Sequence, residues 1–251
     1  MSDDKRETAE RFGAAAEDYR RSATHREGRD LATLAAWCAD ADRALDVATG
    51  AGHTAGALRE AGVEAVVAAD AAAEMVATAV EAYGVDGVVA DAERLPFADR
   101  AFDAVTCRIA AHHFPDPGAF VAEAARVLAP GGTFAFEDNV APADERLARF
   151  VDEIERLRDP THVELVTPAT WCARFEAAGL VVERIEPVAR RLDFAAWCDR
   201  TGVPEDTRRK LRRRFAEAPP GAIERFAVEF GPAGVESFVV PKRLFRLRKP
   251  R

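Results

Sequence analysis

An apolar run that ends in two closely spaced glycines constrains the fold of this chain more than any other stretch. The sequence RALDVATGAGHTAGAL (43–58) passes from a strand pattern through small residues to a helical pattern, which predicts a strand, a tight turn and a helix. Because Gly50 and Gly52 have no Cβ, the turn can adopt positive φ and approach a ligand closely. A helix beginning near His53 would direct its first N–H groups and its positive dipole end toward that ligand.

The next acidic residue indicates what kind of ligand the turn could hold. Asp70 closes the apolar run 65–69, which predicts a second buried strand. It follows Gly50 by about 20 residues, the spacing at which one strand-helix-strand unit brings a carboxylate beside a bound ribose. A solvated Asp at the end of a strand is the alternative.

Composition places the chain among folded proteins without a metal or disulfide framework. It has 251 residues, 48% apolar and 31% charged, enough for one large α/β domain. Its four cysteines include no C-x-x-C pair, and the net charge of −8 disfavours nucleic acid and anionic membranes. The charged start MSDDKRE and the lack of a long apolar stretch predict neither a signal peptide nor a membrane span, so a cytoplasmic protein is expected.

Alternating strand and helix patterns continue to residue 139 and predict a parallel sheet with helices on both faces. Further strands are expected at 87–90, 101–107 and 133–137. Ligands of such sheets bind at the carboxyl ends of the strands.

The flanks of this region are predicted to cover it. Helices at 3–21 and 25–39 precede the first strand, with Tyr19 either a packing aromatic or part of a ligand cover. After residue 139, helices are expected at 144–158, 168–178 and 204–218, and strands at 180–188, 223–230 and 237–247. Closing strands separated by an inserted helix indicate an antiparallel end to the sheet.

Five motifs taken together resemble a known family. They are LDVATGAG (45–52), Asp70 with Met75, Asp91-Ala92 with Leu95-Pro96-Phe97, Phe102-Asp103 with His112-His113, and RVLAPGG (126–132). With them the chain resembles the class I S-adenosylmethionine-dependent methyltransferases, and within these the small-molecule group related to the ubiquinone and menaquinone C-methyltransferases.

The resemblance implies a Rossmann-like, doubly wound α/β fold with a mostly parallel seven-stranded sheet, an antiparallel end strand and a small helical insertion near the C-terminus. It implies a single domain over residues 1–251. Within it, 1–40 would be a helical cover, 41–140 the cofactor-binding core and 141–251 a C-terminal half with acceptor-site insertions.

The resemblance also implies S-adenosyl-L-methionine as the cofactor and a role for each motif residue. Asp46 with Gly50 and Gly52 would hold the methionine end, whose ammonium needs carboxylate or carbonyl partners. The remaining assignments are Asp70 to the ribose hydroxyls, Asp91 and the Ala92 N–H to the adenine edge, Met75 to the adenine face, and Arg108 to the cofactor carboxylate or else to a surface acid. Ala48 stands where the family often has Gly, so an ordinary backbone conformation is expected there.

Methyl transfer to a small organic acceptor, at carbon or oxygen, is the function that these residues favour. A base would help if the acceptor is a hydroxyl or an acidic carbon, and His113 and His162 are the candidates, each with a loop hydrogen bond as its alternative role. Asp138 and Asn139 resemble part of the magnesium site of catechol O-methyltransferases. Because Arg108 stands where a further carboxylate would be needed, no metal is expected.

Three other interpretations remain open from the sequence. Gly50, Gly52 and Ala55 with Asp70 also fit the dinucleotide fingerprint of dehydrogenases, although the later motifs favour the methyltransferase. The basic helix at 204–218 could serve a macromolecular acceptor such as RNA, or be a solvated face. The chain could also bind S-adenosylmethionine without catalysis. No membrane partner is expected.

Overall fold

The computed structural model describes residues 3–14, 16, 20 and 28–251. Tyr19, together with His25 at the expected start of the second helix, lies outside the described residues. No helix in the described ranges is long and apolar enough to cross a membrane.

The helices and strands alternate as the sequence predicts up to the fifth strand. The helices are α1 (Asp3–Ala14), α2 (Arg29–Trp37), α3 (His53–Glu60), α4 (Ala73–Tyr83), α5 (Pro117–Val127), α6 (Glu145–Arg158), α7 (Pro168–Ala177), α8 (Phe194–Asp199), α9 (Glu205–Ala216) and α10 (Ala222–Arg225). The strands are β1 (Arg43–Val47), β2 (Ala65–Asp70), β3 (Asp86–Val89), β4 (Phe102–Arg108), β5 (Leu128–Asn139), β6 (Val181–Val188), β7 (Arg191–Asp193), β8 (Glu229–Gly231), β9 (Gly234–Val239) and β10 (Lys242–Arg248).

The chain forms two compact units, and the first carries a seven-stranded sheet. This unit comprises Met1–Asp138, Cys172–Glu186 and Leu244–Arg251. The strand order is β3-β2-β1-β4-β5-β10-β6, and neighbouring strands from β3 to β5 are parallel. Because Gly131 bonds to Lys249 while Val140 bonds to Pro241, β10 runs antiparallel to β5. The predicted mostly parallel, seven-stranded Rossmann-like sheet is confirmed.

Parallel pairing on both sides of β1 brings the functional residues to one edge of the sheet. β1 pairs with β2 and with β4, and its side chains Leu45 and Val47 are buried in the core. Strands buried on both faces need continuous apolar runs, which explains the sequence of this stretch. We call the edge formed by the carboxyl ends of β1 to β5 the carboxyl edge.

The second unit, Asn139–Trp171 and Pro187–Arg243, has its own core beneath the three-stranded sheet β7-β9-β8. Aromatic side chains dominate this core, and its largest members are Phe150, Phe194, Trp197, Phe215, Phe226 and Phe238.

Two strand predictions in the second unit are wrong in detail. The residues from 223 that were predicted to begin a strand belong instead to α10. This helix starts after Gly221, whose φ is +83°. The strand predicted over 237–247 is divided into β9 and β10, with Pro241 just before β10, because proline cannot donate to a ladder.

The turn after β1 depends on a close approach between two helices. Gly52 caps α3 in the left-handed region, with a φ of +86°. A Cβ there would lie 2.6 Å from the Cβ and 2.8 Å from the Cα of Ala79 in α4, whereas a Cβ at Gly50 would meet open space. Only a glycine at position 52 therefore lets α3 and α4 pack at this distance.

We expect Gly52→Ala to destabilise the protein more than Gly50→Ala. Both changes place a side chain in the left-handed region at a cost of about 1–2 kcal/mol. Gly52→Ala adds overpacking against the α4 backbone, about 1–3 kcal/mol more. Urea unfolding without ligand measures both changes, and equal losses would show that this contact does not constrain the turn.

Candidate functional site

The turn after β1 has three residues in the left-handed region. They are Ala48, Gly50 and Gly52, with φ of +51°, +52° and +86°. The expectation of an ordinary conformation at Ala48 is wrong. Just beyond it, Thr49 donates from its backbone N–H to Ala69 of β2 over 3.0 Å, so the chain must bend sharply at position 48. An alanine in the left-handed region costs about 1–2 kcal/mol. The hydrogen bonds of the turn offset this cost.

Asp46 lies buried under the turn and holds it to the neighbouring strand. Its two oxygens accept hydrogen bonds from the hydroxyls of Thr49, over 2.7 Å, and of Thr106 in β4, over 2.6 Å. Burial raises the pKa of Asp46 to about 6, although both hydroxyls and the charge of Arg108 oppose the shift. A cation placed beside this carboxylate would find it already oriented.

Asp70, at the carboxyl end of β2, supports the turn from the other side. Its Oδ2 accepts from the N–H of Gly50 and its Oδ1 from the N–H of Ala72, each over 2.9 Å. Burial raises the pKa of this carboxyl group, and hydrogen bonds from the backbone of Ala72, Gly50 and Ala71 partly offset the effect. A carboxylate oxygen can accept more than one hydrogen bond, so these contacts are compatible with the predicted ribose role.

Asp91 follows β3, and a lysine of the first helix contacts it. Lys5 donates from Nζ to both oxygens of Asp91, over 2.9 and 2.8 Å, and to Glu93 over 2.5 Å. Burial opposes the shift, but the Lys5 ammonium and the Glu93 N–H lower the pKa of Asp91. Ala92 lies between the two carboxylates in a turn. The adenine roles of Asp91 and Ala92 stay predictions.

Met75 is buried where α1 packs on α4. It shares a small apolar cluster with Ala9, Ala16 and Ala72, and Phe12 packs against that cluster. The predicted contact with adenine stays a prediction, since the described neighbours of Met75 are the apolar groups of the cluster.

Arg108, the last residue of β4, joins three elements through buried ion pairs. It donates from Nε to Glu137 of β5 over 2.9 Å and from Nη2 to Asp30 of α2 over 2.7 Å. The arginine side chain is 4% exposed, and those of Asp30 and Glu137 are 9% and 0% exposed. The expected pairing with a surface acid is therefore wrong, because both partners are buried. Contact with a cofactor carboxylate stays a prediction.

A short 3-10 turn at Ala111–His113 follows β4 and carries the histidine pair. Ile109, at a φ of +56°, turns the chain out of the strand, an unusual conformation for a β-branched residue. His112 is buried and bonds twice to Asp138 at the end of β5. Its backbone N–H donates to Oδ2 over 2.9 Å, and Nδ1 lies 2.6 Å from Oδ1.

The sequence predicts His113, and not His112, as a candidate base. The His113 ring packs edge-on against Phe12, with centroids 4.9 Å apart, and lies 4.2 Å from the His112 ring. The sequence holds one indication of the His112–Asp138 pair, because the histidines follow β4 and Asp138 lies at the end of β5. Only the β4–β5 adjacency and the conformation of the turn show which histidine meets it.

His162 is buried inside the second unit, where a carboxylate holds it. Its Nε2 lies 2.8 Å from Oδ1 of Asp152 in α6, and the same oxygen accepts from the N–H of Leu165. The pair fastens the segment after α6 to that helix. A catalytic role for His162 stays a prediction.

The basic helix α9 is largely neutralised by carboxylates. Five of its six cations form ion pairs: Arg208 with Asp199, Arg209 with Asp206, Arg212 with Glu205, Arg213 with Glu217, and Arg214 with Glu153. This pattern is typical of a solvated helix face.

Taken together, the carboxyl edge carries a carboxylate at each of three neighbouring strands, one of them buried and two half-buried. Asp46 underlies the end of β1, Asp70 ends β2 and Asp91 follows β3. Such a row suits a ligand that offers an ammonium, a pair of hydroxyls and an amino group in sequence. Among the residues that the structure describes, no group of three or more His, Cys, Asp or Glu side chains could hold a metal ion.

Comparison with known proteins gives consistent relatives. A family model described as a methyltransferase domain matches residues 45–136. The uncharacterized methyltransferase YcgJ of Bacillus subtilis is 37% identical over 231 residues, which cover 89% of this chain and 91% of the relative. A crystal structure of YcgJ has a TM-score of 0.84 at 34% identity and covers 88% of this chain and 98% of that one. The ubiquinone/menaquinone biosynthesis C-methyltransferase UbiE of Desulfotalea psychrophila is 36% identical over 115 residues, 44% of this chain and 47% of the relative.

We expect Asp46→Asn to stabilise the ligand-free protein increasingly as the pH rises. The folded-state pKa of about 6 lies above that of an unfolded Asp, so the contribution of this group is fully favourable below about pH 4 and is lost as the pH passes through 6. An Asn side chain avoids the buried charge. Relative to wild type, the variant should gain roughly 2–3 kcal/mol of unfolding free energy between pH 4 and pH 7.5.

Urea unfolding at several pH values measures this difference, with Asp40→Asn, an exposed carboxylate, as the matched control. A difference that stays constant with pH would mean that Asp46 is not a charge-burial site.

Proposed function

The chain belongs to the class I S-adenosylmethionine-dependent methyltransferases, and from this membership we propose that it transfers the methyl group of S-adenosylmethionine to carbon or oxygen of a small organic acceptor. The cofactor would bind along the carboxyl edge. There it supplies a methyl group that is already activated by the positive charge of the sulfonium, so the protein has to bind, align and exclude water.

The observation that carries the proposal is the order of groups along β1, β2 and β3. The Gly50–Gly52 turn has no side chain at either glycine, and there is open space where a Cβ of Gly50 would stand. Asp46 beneath it is suited to the ammonium of the methionine end, Asp70 to the ribose hydroxyls and Asp91 to the adenine amino group. These three carboxylates are hydrogen-bond acceptors, and they fit the three kinds of donor that the cofactor carries.

A small acceptor is supported by the name of one relative. UbiE is named a ubiquinone/menaquinone biosynthesis C-methyltransferase, and it is 36% identical to this chain over 115 residues. The alternative of a macromolecular acceptor depended on the basic helix, and the ion pairs of α9 give that helix little free positive charge. The dinucleotide alternative is less well supported, since the family match covers the motifs beyond Asp70.

We expect the purified chain to bind S-adenosylmethionine and S-adenosylhomocysteine but not NADH in calorimetric titrations. Asp70→Ala should weaken both interactions about 10- to 100-fold, because hydrogen bonds to a charged acceptor contribute about 1.5–3 kcal/mol. Asp86→Ala is the matched control, since it removes an exposed carboxylate from the opposite end of the neighbouring strand.

Turnover is then tested by release of S-adenosylhomocysteine with a panel of phenols, hydroquinones, enolisable carbonyl compounds and amines. Binding of NADH alone would refute the proposal in favour of a dehydrogenase. Tight binding of S-adenosylmethionine with no turnover across the panel would favour a non-catalytic binding protein.

A further inference from the structure

Asp138 holds the His112 ring in one orientation and one protonation pattern. The carboxylate accepts both from the backbone N–H of His112 and at the ring nitrogen Nδ1, and its side chain is 0% exposed. A carboxylate is an acceptor, so Nδ1 must carry the ring hydrogen in this pair. In the neutral ring, Nε2 is then the nitrogen that has the lone pair and can accept a proton.

The pair also lies on the appropriate side of the carboxyl edge. In the strand order, β4 lies next to β1 on the side away from β2 and β3, and β5 lies next to β4. The residues suited to ribose and adenine follow β2 and β3, and Asp46 underlies the end of β1. A ligand extended along the edge in that order has its methionine end at β1, with the sulfonium between that end and the ribose. The strand next to β1 on the other side is β4, which the turn at Ala111–His113 follows.

We propose that Nε2 of His112 takes up the proton that the acceptor loses, with Asp138 as the residue that positions the ring. This inference rests on the proposed function. In the transfer, the bond between the methyl carbon and the sulfonium sulfur breaks and its electron pair stays on sulfur. A bond forms between the methyl carbon and the acceptor atom, and the proton of that atom passes to Nε2.

The positive charge that this step creates on His112 forms beside a carboxylate. One positive charge leaves the sulfonium and one appears on the His112 imidazolium, whose Nδ1 lies 2.6 Å from the Asp138 carboxylate. Because that carboxylate is buried, its attraction for the new cation is little screened by water. The acceptor belongs to the class whose reacting atom bears an acidic hydrogen, namely phenols, hydroquinones and enolisable carbonyl compounds.

The first test measures the tautomer without any turnover. In the full chain with S-adenosylhomocysteine added and histidine labelled with ¹⁵N, long-range ¹H–¹⁵N spectra should show His112 with its hydrogen on Nδ1. Asp138→Asn offers one acceptor oxygen to two donors, so we expect the ring to shift toward the Nε2–H form. A wild-type ring with its hydrogen on Nε2 would overturn the inference.

The second test separates proton transfer from binding. With an acceptor from the panel, His112→Gln should lower kcat about 10²- to 10⁴-fold, while the Kd for S-adenosylmethionine and the KM for the acceptor stay within about threefold. The wild-type kcat should fall on acidification, and this limb of the pH profile should be absent from the variant. Asp138 and His113 are titratable groups in contact with the ring, so His113→Gln is measured in parallel.

Asp144→Asn is the matched control for Asp138→Asn. It makes the same chemical change at the N-cap of α6, where asparagine caps equally well. A His112→Gln variant with kcat within about threefold of wild type and an unchanged pH profile would overturn the inference. The same would follow if the acceptor proved to be a tertiary amine, which has no proton to lose. Failure of the wild-type protein to bind S-adenosylmethionine would instead refute the proposed function.

Discussion

The buried carboxylate of Asp46 is the constraint on which the carboxyl edge depends. It accepts from a hydroxyl of its own turn and from one in β4, so it fixes the turn after β1 relative to the next strand. The protein accepts the cost of a buried acid whose pKa rises to about 6. In the proposed role, this cost provides an oriented partner for the cofactor ammonium, because a carboxylate in water would have to be desolvated during binding.

The residues assigned to the two proposed roles lie on different sides of β1 along one edge. The side of β1 that faces β2 and β3 presents backbone donors and carboxylates that suit a nucleoside. The side that faces β4 and β5 presents a histidine held by Asp138 and, nearby in sequence, the buried ion pairs of Arg108. The two sides are linked, since Asp46 bonds to Thr106 of β4 and Phe12 packs both on the Met75 cluster and against His113.

Much of the sheet could be predicted from sequence because parallel strands buried on both faces need apolar runs that stand out between helical patterns. Local signals predict the turn at Gly50 and Gly52, the acidic residues at the ends of β2 and β3, and the antiparallel strand. The conformation of Ala48 did not, because it is imposed by the bond from Thr49 to β2, a long-range contact. The choice of His112 over His113 and the buried partners of Arg108 also depend on which side chains meet across strands, and periodicity does not reveal this.

The position of β10 has a consequence for how the protein is made. This strand pairs between β5 and β6, yet it follows them in the chain, with the larger part of the second unit in between. During synthesis, β5 therefore keeps one edge without its partner until residues 242–248 have left the ribosome. An unpaired apolar strand edge is a template for association with other chains, so the interval between β5 and β10 is the period when the nascent protein is most exposed to aggregation.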